Sequence, residues 1–401
     1  MNTNNVDSSH KSLLGNSVEL YVEGPKYYNQ YLDMIDQAEK SIHLQTYIFD
    51  MDSFGQKVFE SLKNAASRGV KVYLLIDAFG SITFQTKHEE ELINAGIIFC
   101  RFNNFSYRWL YQWARRLHHK ILLIDEKHCL IGGINVCSLS YNDAKVPHQL
   151  DFAVYLNGPI NSKVSKYCFN VFKKSNSKEN KNFNVMPLSA DQVSDLQNSK
   201  FSHSLEVKLS TNDWVYGRWQ ITKEYAHKTK IAKKNITIIN SYFFPRRKFM
   251  KQLVHAARRG VKVKLILPKH SDWPSYVLAT RHLYLYFLKN GVEIYEWNKS
   301  ILHGKLATVD GRFSTVGSFN LNYTSYQQNL EMNVDIMSDQ FTQELDTMIE
   351  ENILSGCRKI QLESFEQKTS FYTKCRQFFY YALLSTVAGF SVSLTYQEKD
   401  S

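Results

Sequence analysis

Ile236-Thr-Ile-Ile-Asn-Ser-Tyr-Phe-Phe244, then Leu253, Ala256 and Ala257, then Arg259-Gly260-Val-Lys-Val-Lys-Leu-Ile-Leu267, repeats an arrangement already present near the start of the chain. There it reads Ser41-Ile-His-Leu-Gln-Thr-Tyr-Ile-Phe49, then Val58, Leu62, Ala65 and Ala66, then Arg68-Gly69-Val-Lys-Val-Tyr-Leu-Leu-Ile76. In each copy an apolar strand leads into a helix, a glycine closes the helix, and a β-branched run follows that suits a buried strand. A second helix then ends at Gly96 (Asn94-Ala-Gly-Ile-Ile-Phe) or Gly291 (Asn290-Gly-Val-Glu-Ile), and another strand follows. This is a duplicated βαβ unit. It predicts an α/β protein of two lobes, each a mixed, largely parallel sheet flanked by helices, in a pseudo-twofold arrangement with one shared interface. A period of about 190 residues is far too long for a solenoid and fits two domain-sized copies.

The copies divide the 401 residues as follows: 1–16 a flexible N-terminus, 17–172 the first lobe, 201–356 the second, and 357–401 a C-terminal segment. Between the lobes, 173–200 opens with Lys173-Lys-Ser-Asn-Ser-Lys-Glu-Asn-Lys-Asn182, too polar to bury much surface, and reads as a linker. With 43% hydrophobic and 22% charged residues, the composition fits a packed globular protein and excludes wholesale disorder. A net charge of +11 beside 14% aromatic residues points to an anionic partner: nucleic acid, phospholipid head groups or a phosphorylated substrate. The six cysteines form no C-x-x-C pair, which argues against a disulfide framework and against a zinc ribbon. The N-terminus shows neither a secretory h-region nor a myristoylation glycine, so the active region is expected on the cytosolic side.

The chemistry lies in a third shared element. The first lobe has Leu117-His118-His119-Lys120-Ile-Leu-Leu-Ile-Asp125, then Ile131-Gly132-Gly133-Ile134-Asn135. The second has Leu302-His303-Gly304-Lys305-Leu-Ala-Thr-Val-Asp310, then Val316-Gly317-Ser318-Phe319-Asn320, with His, Lys, Asp and Asn each offset by 185 residues. On a strand, positions i and i+2 share a face, so each His and its Lys point together. Twofold pairing of these faces puts two imidazoles and two ammonium groups around one anion. Phosphodiester exchange needs a nucleophile, an acid for the leaving alkoxide and positive charge on the non-bridging oxygens, all supplied here without a metal. No cofactor and no metal are expected. A lone His-x-Lys on a strand is more often structural; two copies at one offset, each with its Gly-x-Asn turn, favour function.

This doubled HKD motif resembles the phospholipase D superfamily over most of residues 17–355. Ser241-Tyr-Phe-Phe-Pro245, Ala256-Ala-Arg-Arg-Gly260, Leu302-His-Gly-Lys305, Ser314-Thr-Val-Gly-Ser-Phe-Asn-Leu321 and Asn329-Leu-Glu331 are most similar to bacterial cardiolipin synthases of the short type lacking N-terminal membrane spans. The resemblance implies condensation of two phosphatidylglycerol molecules into cardiolipin and glycerol through a phosphatidyl-histidine intermediate. It makes His118 the nucleophile and His303 the general acid and then base, with Lys120, Lys305, Asn135 and Asn320 on the phosphoryl oxygens and Ser318 in an assisting place. An acidic residue beyond each Gly-x-Asn turn would orient a catalytic imidazole: Glu331 in the second lobe and, at a longer spacing, Asp151 in the first (His148-Gln-Leu-Asp151). A carboxylate on Nδ1–H fixes the tautomer and stabilises an imidazolium. Asp125 and Asp310 complete the motif and read as anchors of the strand end. The alternative activity is a phospholipase D or phosphodiesterase hydrolysing phospholipid or nucleic acid, because the same phosphohistidine can react with water. A catalytically silent binding module is disfavoured by intact His, Lys and Asn in both lobes.

His119 falls on the opposite strand face and reads as a core residue, and His43, His270 and His282 lack acidic partners at metal-site spacing. Arg108-Trp109-Leu-Tyr-Gln-Trp113-Ala-Arg115-Arg116 suits either a head-group belt or a half-buried basic helix. The uncharged stretch 377–397 approaches spanning length but carries Ser, Thr and Gly, so a monotopic anchor is expected, with burial against the lobes as the alternative. The expected partners are phosphatidylglycerol and an anionic membrane surface rather than nucleic acid, at the cytoplasmic face of a bacterial cell membrane.

Overall fold

The computed structural model describes residues 11–103, 115–137, 149–175, 205–213 and 218–396. Strands β1 (Leu13–Val22), β2 (Ser41–Thr46), β3 (Lys71–Asp77), β4 (Ile98–Phe102), β5 (Lys120–Ile124), β6 (His128–Gly132) and β7 (Phe152–Asn157) build the first lobe's sheet. Their order is β4-β3-β2-β5-β6-β7-β1, parallel from β4 to β2 and antiparallel elsewhere. Strands β8 (Leu205–Asp213), β9 (Asn235–Asn240), β10 (Lys262–Pro268), β11 (Glu293–Trp297), β12 (Lys305–Val309), β13 (Phe313–Gly317) and β14 (Asn329–Met337) repeat that order as β11-β10-β9-β12-β13-β14-β8. The parallel strands are those joined by crossover helices, and the β-branched runs Lys71–Asp77 and Lys262–Pro268 are buried along all but their first residue. The sheets meet where β1 pairs antiparallel with β8, Leu13 opposite Val207 and Asn16 opposite Leu205.

Equivalent residues do equivalent work. Gly69 and Gly260 end their helices at φ near +90°, a conformation that favours glycine. The arginine before each reaches back to the carbonyls that close an earlier helix: Arg68 to Ile35, Asp36 and Ala38, and Arg259 to Thr229, Lys230 and Ala232. Asp125 accepts the backbone N–H groups of Glu39, Lys40 and Ser41, and Asp310 those of Lys233, Lys234 and Asn235. Both aspartates therefore fasten the start of a neighbouring strand, at the end of the motif strand remote from the histidine.

Each lobe has its own core between sheet and outer helices. A third cluster lies between the two sheets and draws from both lobes, including Ile121, Leu123, Ile131, Phe152, Val154, Leu209, Ile239, Leu306, Val316, Met332 and Val334. Burying side chains of this size stabilises by roughly 1.5–3 kcal/mol each, so the lobes are held as one body.

Three expected boundaries shift. Residues 13–16 belong to β1, because pairing with β8 satisfies their backbone and buries Asn16. The helix Ile160–Ser175 extends past 172, its apolar face seated on the inter-sheet cluster. Cys357–Lys359 pairs with β11, so the second lobe continues beyond 356. Most of the linker, Arg108–Ala114 and the first ten residues lie outside the described residues.

The C-terminal helix Phe371–Tyr396 lies on the helix Pro274–His282, with Tyr381 at 4.6 Å and Phe378 at 5.5 Å from the His282 ring. Tyr380, Tyr381 and Leu384 join the second lobe's core, and Gln377 is buried. The other face is bare: Phe371 is 83%, Tyr372 70% and Phe379 60% exposed. Among the described residues, no helix is long and apolar enough to cross a membrane.

Candidate active site

Two short exchanges of strand build the site. Arg116–Leu117 runs parallel to Asn329–Leu330, and Ile301–Leu302 runs parallel to Gln149–Leu150. The His118 N–H donates to the Leu330 carbonyl at 3.0 Å, and the His303 N–H to that of Leu150 at 2.9 Å. Each histidine is thus stitched to the other lobe one residue before that lobe's carboxylate. The consequence is a crossed pairing: His118 Nδ1 lies 3.0 Å from Glu331 Oε2, and His303 Nδ1 lies 2.6 Å from Asp151 Oδ2. A carboxylate only accepts, so both imidazoles carry their proton on Nδ1 and offer Nε2 to the cleft.

Glu331 also accepts from the Asn329 amide at 3.0 Å and from the Ser318 hydroxyl. Ser318 in turn accepts the Met332 N–H at 3.1 Å. This corrects the expectation for Ser318: its hydroxyl is spent on the carboxylate rather than on a phosphoryl group. The equivalent residue, Gly133, can carry no side chain, since a Cβ there would stand 2.3 Å from Asp151 Oδ1. Asp125 and Asp310, counted with the motif, are the strand-end anchors expected of them: they bind backbone amides and do not reach the site.

The lysines complete the set. Lys120 Nζ donates to the His118 carbonyl at 2.5 Å, and Lys305 Nζ to that of His303, 3.7 Å from Asp151 Oδ2. Burial pushes the Lys120 ammonium down to about 7 despite the opposing pull of Glu331, and it lowers Lys305 too. An arriving phosphodiester supplies the missing negative charge and favours both charged forms. Burial likewise brings His118 to about 4 and lowers His303, leaving neutral imidazoles at physiological pH. For Glu331 and Asp151, burial alone would raise the carboxyl, but His118 and Lys120, and Lys305 and His303, outweigh it and keep both ionised.

Asn135 Oδ1 accepts the Ile48 N–H at 3.2 Å, and Asn320 Oδ1 accepts the Ser241 hydroxyl at 2.9 Å. With the oxygens engaged, what each amide has left to offer is Nδ2–H donors, which suit an anion. His119 is buried between Gln45 (2.8 Å) and the Tyr167 hydroxyl (3.3 Å), away from the cleft. Sequence reasoning passed over Tyr47 and Tyr242, whose rings face His118 at 5.1 Å and His303 at 6.0 Å. They are one residue out of step: Tyr47 directly follows β2, whereas Tyr242 stands two residues beyond β9. Of the Trp/Arg stretch, Arg115 pairs with Asp213 at 2.7 Å and Arg116 lies over Phe79.

Residues 31–166 and 225–353, which hold both motifs and both carboxylates, match the family described as cardiolipin synthase, PLD-like domain. The chain belongs to this family. Cardiolipin synthase B of Salmonella typhi is 32% identical over 358 residues, covering 88% of this chain and 84% of that protein. Cardiolipin synthase of Clostridium perfringens is 28% identical over 381 residues, covering 92% and 76%. As a family member, the protein is a phosphatidyltransferase of the phospholipase D superfamily. Its fold is shared with phosphatidylserine synthase of Haemophilus influenzae, at a TM-score of 0.69 and 13% identity over 96% of both chains.

Proposed function

We propose that the protein joins two phosphatidylglycerol molecules into cardiolipin and releases glycerol, with His118 as the nucleophile. The observation that carries this reading is the pair of neutral, carboxylate-held imidazoles flanked by Lys120 and Lys305. His303 takes up a proton once the negative charge of the bound phosphodiester favours its imidazolium; His118 Nε2 then attacks phosphorus, the bond to the head-group oxygen breaks, and His303 gives that oxygen its proton, freeing glycerol. Neutral His303 then takes the proton of a terminal hydroxyl on a second phosphatidylglycerol. That oxygen attacks phosphorus, the P–N bond breaks, and His118 is restored. Lys120, Lys305, Asn135 and Asn320 bear the charge on the non-bridging oxygens.

On phosphatidylglycerol vesicles the purified protein should yield mainly cardiolipin and glycerol, and added glycerol should drive the reaction back. Phosphatidic acid as the main product, insensitive to glycerol, would establish the hydrolase instead; a parallel nuclease assay tests the nucleic-acid version.

The bare face of the C-terminal helix, with Lys374 and Arg376 exposed beside it, suits an anionic bilayer surface and a monotopic mode of attachment. Deleting the helix would uncover Tyr380, Tyr381 and Leu384, so the sharper variant changes only the outward side chains. Phe371→Ser, Tyr372→Ser and Phe379→Ser together should cut co-sedimentation with phosphatidylglycerol vesicles at least tenfold while leaving the melting temperature in place. Undiminished co-sedimentation would rule out this face as the anchor.

A further inference from the structure

The two halves of the cleft differ outside the motif. Tyr242 stands edge-on to His303 at 82°, and its hydroxyl donates to both oxygens of Asp272, at 2.6 and 2.7 Å. Ser271 donates to the same carboxylate at 2.8 Å. Asp272 is exposed, and two donors leave part of its acceptor capacity open. Its field reaches Lys305, which places the carboxylate within the electrostatic surroundings of the cleft. Among the described residues, the first lobe has no such arrangement. There the chain turns directly after β3, Asp77 accepts the N–H groups of Phe79 and Gly80, and Gly80 closes over Tyr47, where a Cβ would stand 2.7 Å from the ring. Among the described residues, no carboxylate accepts a hydrogen bond from the Tyr47 hydroxyl.

A carboxylate one tyrosine ring away from a catalytic imidazole is suited to a neutral polyol. An acceptor glycerol group presents two hydroxyls: one loses its proton to the base, and the other needs a hydrogen-bond acceptor nearby. We propose that Asp272, held by Tyr242, receives that second hydroxyl and so makes the enzyme selective for acceptors carrying a vicinal diol. The proposal rests on the reading above, in which His303 activates the acceptor. Water and monohydric alcohols lack the second hydroxyl, so the same contact favours transfer over hydrolysis.

The test is a competition. Full-length protein on phosphatidylglycerol vesicles receives deuterated glycerol and propan-1-ol at equal concentration, and the ratio of deuterated phosphatidylglycerol to phosphatidylpropanol is read by mass spectrometry. The wild-type protein should favour glycerol, and Asp272→Asn should lower the ratio about tenfold, the scale for losing a hydrogen bond to a charged group at an open site. Asn keeps an oxygen for Tyr242 and so preserves the loop; Asp272→Ala should shift the ratio in the same direction. An unchanged ratio overturns the proposal, as does an equal fall in both products, which would mark Asp272 as merely structural. If the wild-type protein makes phosphatidic acid and neither alcohol ester, the transfer reading fails, and with no acceptor the subsite falls too.

Discussion

His118→Ala protein should form neither cardiolipin nor a covalent lipid adduct, whereas His303→Ala protein should lose turnover but keep the ability to be labelled. The difference follows from the roles of the two imidazoles. Without the nucleophile no P–N bond can form. Without His303 the glycerol alkoxide leaves unprotonated, which costs about 100- to 10,000-fold in rate. A donor with a good leaving group, such as a phosphatidyl nitrophenyl ester, needs little protonation and should still label His118. The adduct should then persist, since no base remains to activate an acceptor. Intact-mass and peptide spectra of the trapped protein decide the matter. A label on His303 in the His118→Ala protein would reverse the assignment.

Replacing the carboxylates should reproduce these two phenotypes in crossed form. Glu331→Gln, although in the second lobe, should behave as a damaged His118: slow labelling even with the activated donor. Asp151→Asn, in the first lobe, should behave as a damaged His303: normal labelling and a long-lived adduct. In each case an amide replaces the acceptor of the Nδ1 proton, which frees the imidazole to take the wrong tautomer and removes the charge that supports an imidazolium. A loss of about 100- to 10,000-fold in turnover is expected for either variant. Should Glu331→Gln accumulate adduct and Asp151→Asn fail to label, the pairing across the lobes would not be the functional one.

That crossing is the part of the site that the amino-acid order conceals. The repeat makes the lobes legible because strand and helix periodicity are local properties, and both copies state them in the same order. The glycines at 69 and 260 and the arginines before them were equally visible, since helix closure is decided within a few residues. Which strand lies beside Leu117 is not a local property. Nothing between 116 and 135 announces that Asn329–Leu330 will pair there. Asp151 and Glu331 could therefore be chosen as carboxylates but not matched to their imidazoles. Ser318 is a related case: the resemblance offered it to the phosphoryl oxygens, yet the carboxylate that takes its hydroxyl comes from the neighbouring strand β14. The shift at residues 13–16 has a different origin. Gly15 and Asn16 look like coil in isolation, and only the edge of β8 gives their backbone partners.

The exchanged strands also set an order of events during synthesis. A nascent chain can complete the first lobe, with His118 and Lys120 in place, long before Glu331 leaves the ribosome. Until then His118 has no carboxylate to fix its tautomer, and the cleft lacks its second wall. Asp151 likewise waits for His303. A chain that stops before Glu331 leaves His118 without its Nδ1 acceptor, and one that stops before His303 leaves Asp151 without its imidazole. The two imidazole–carboxylate pairs are thus among the late contacts that synthesis of the chain can complete.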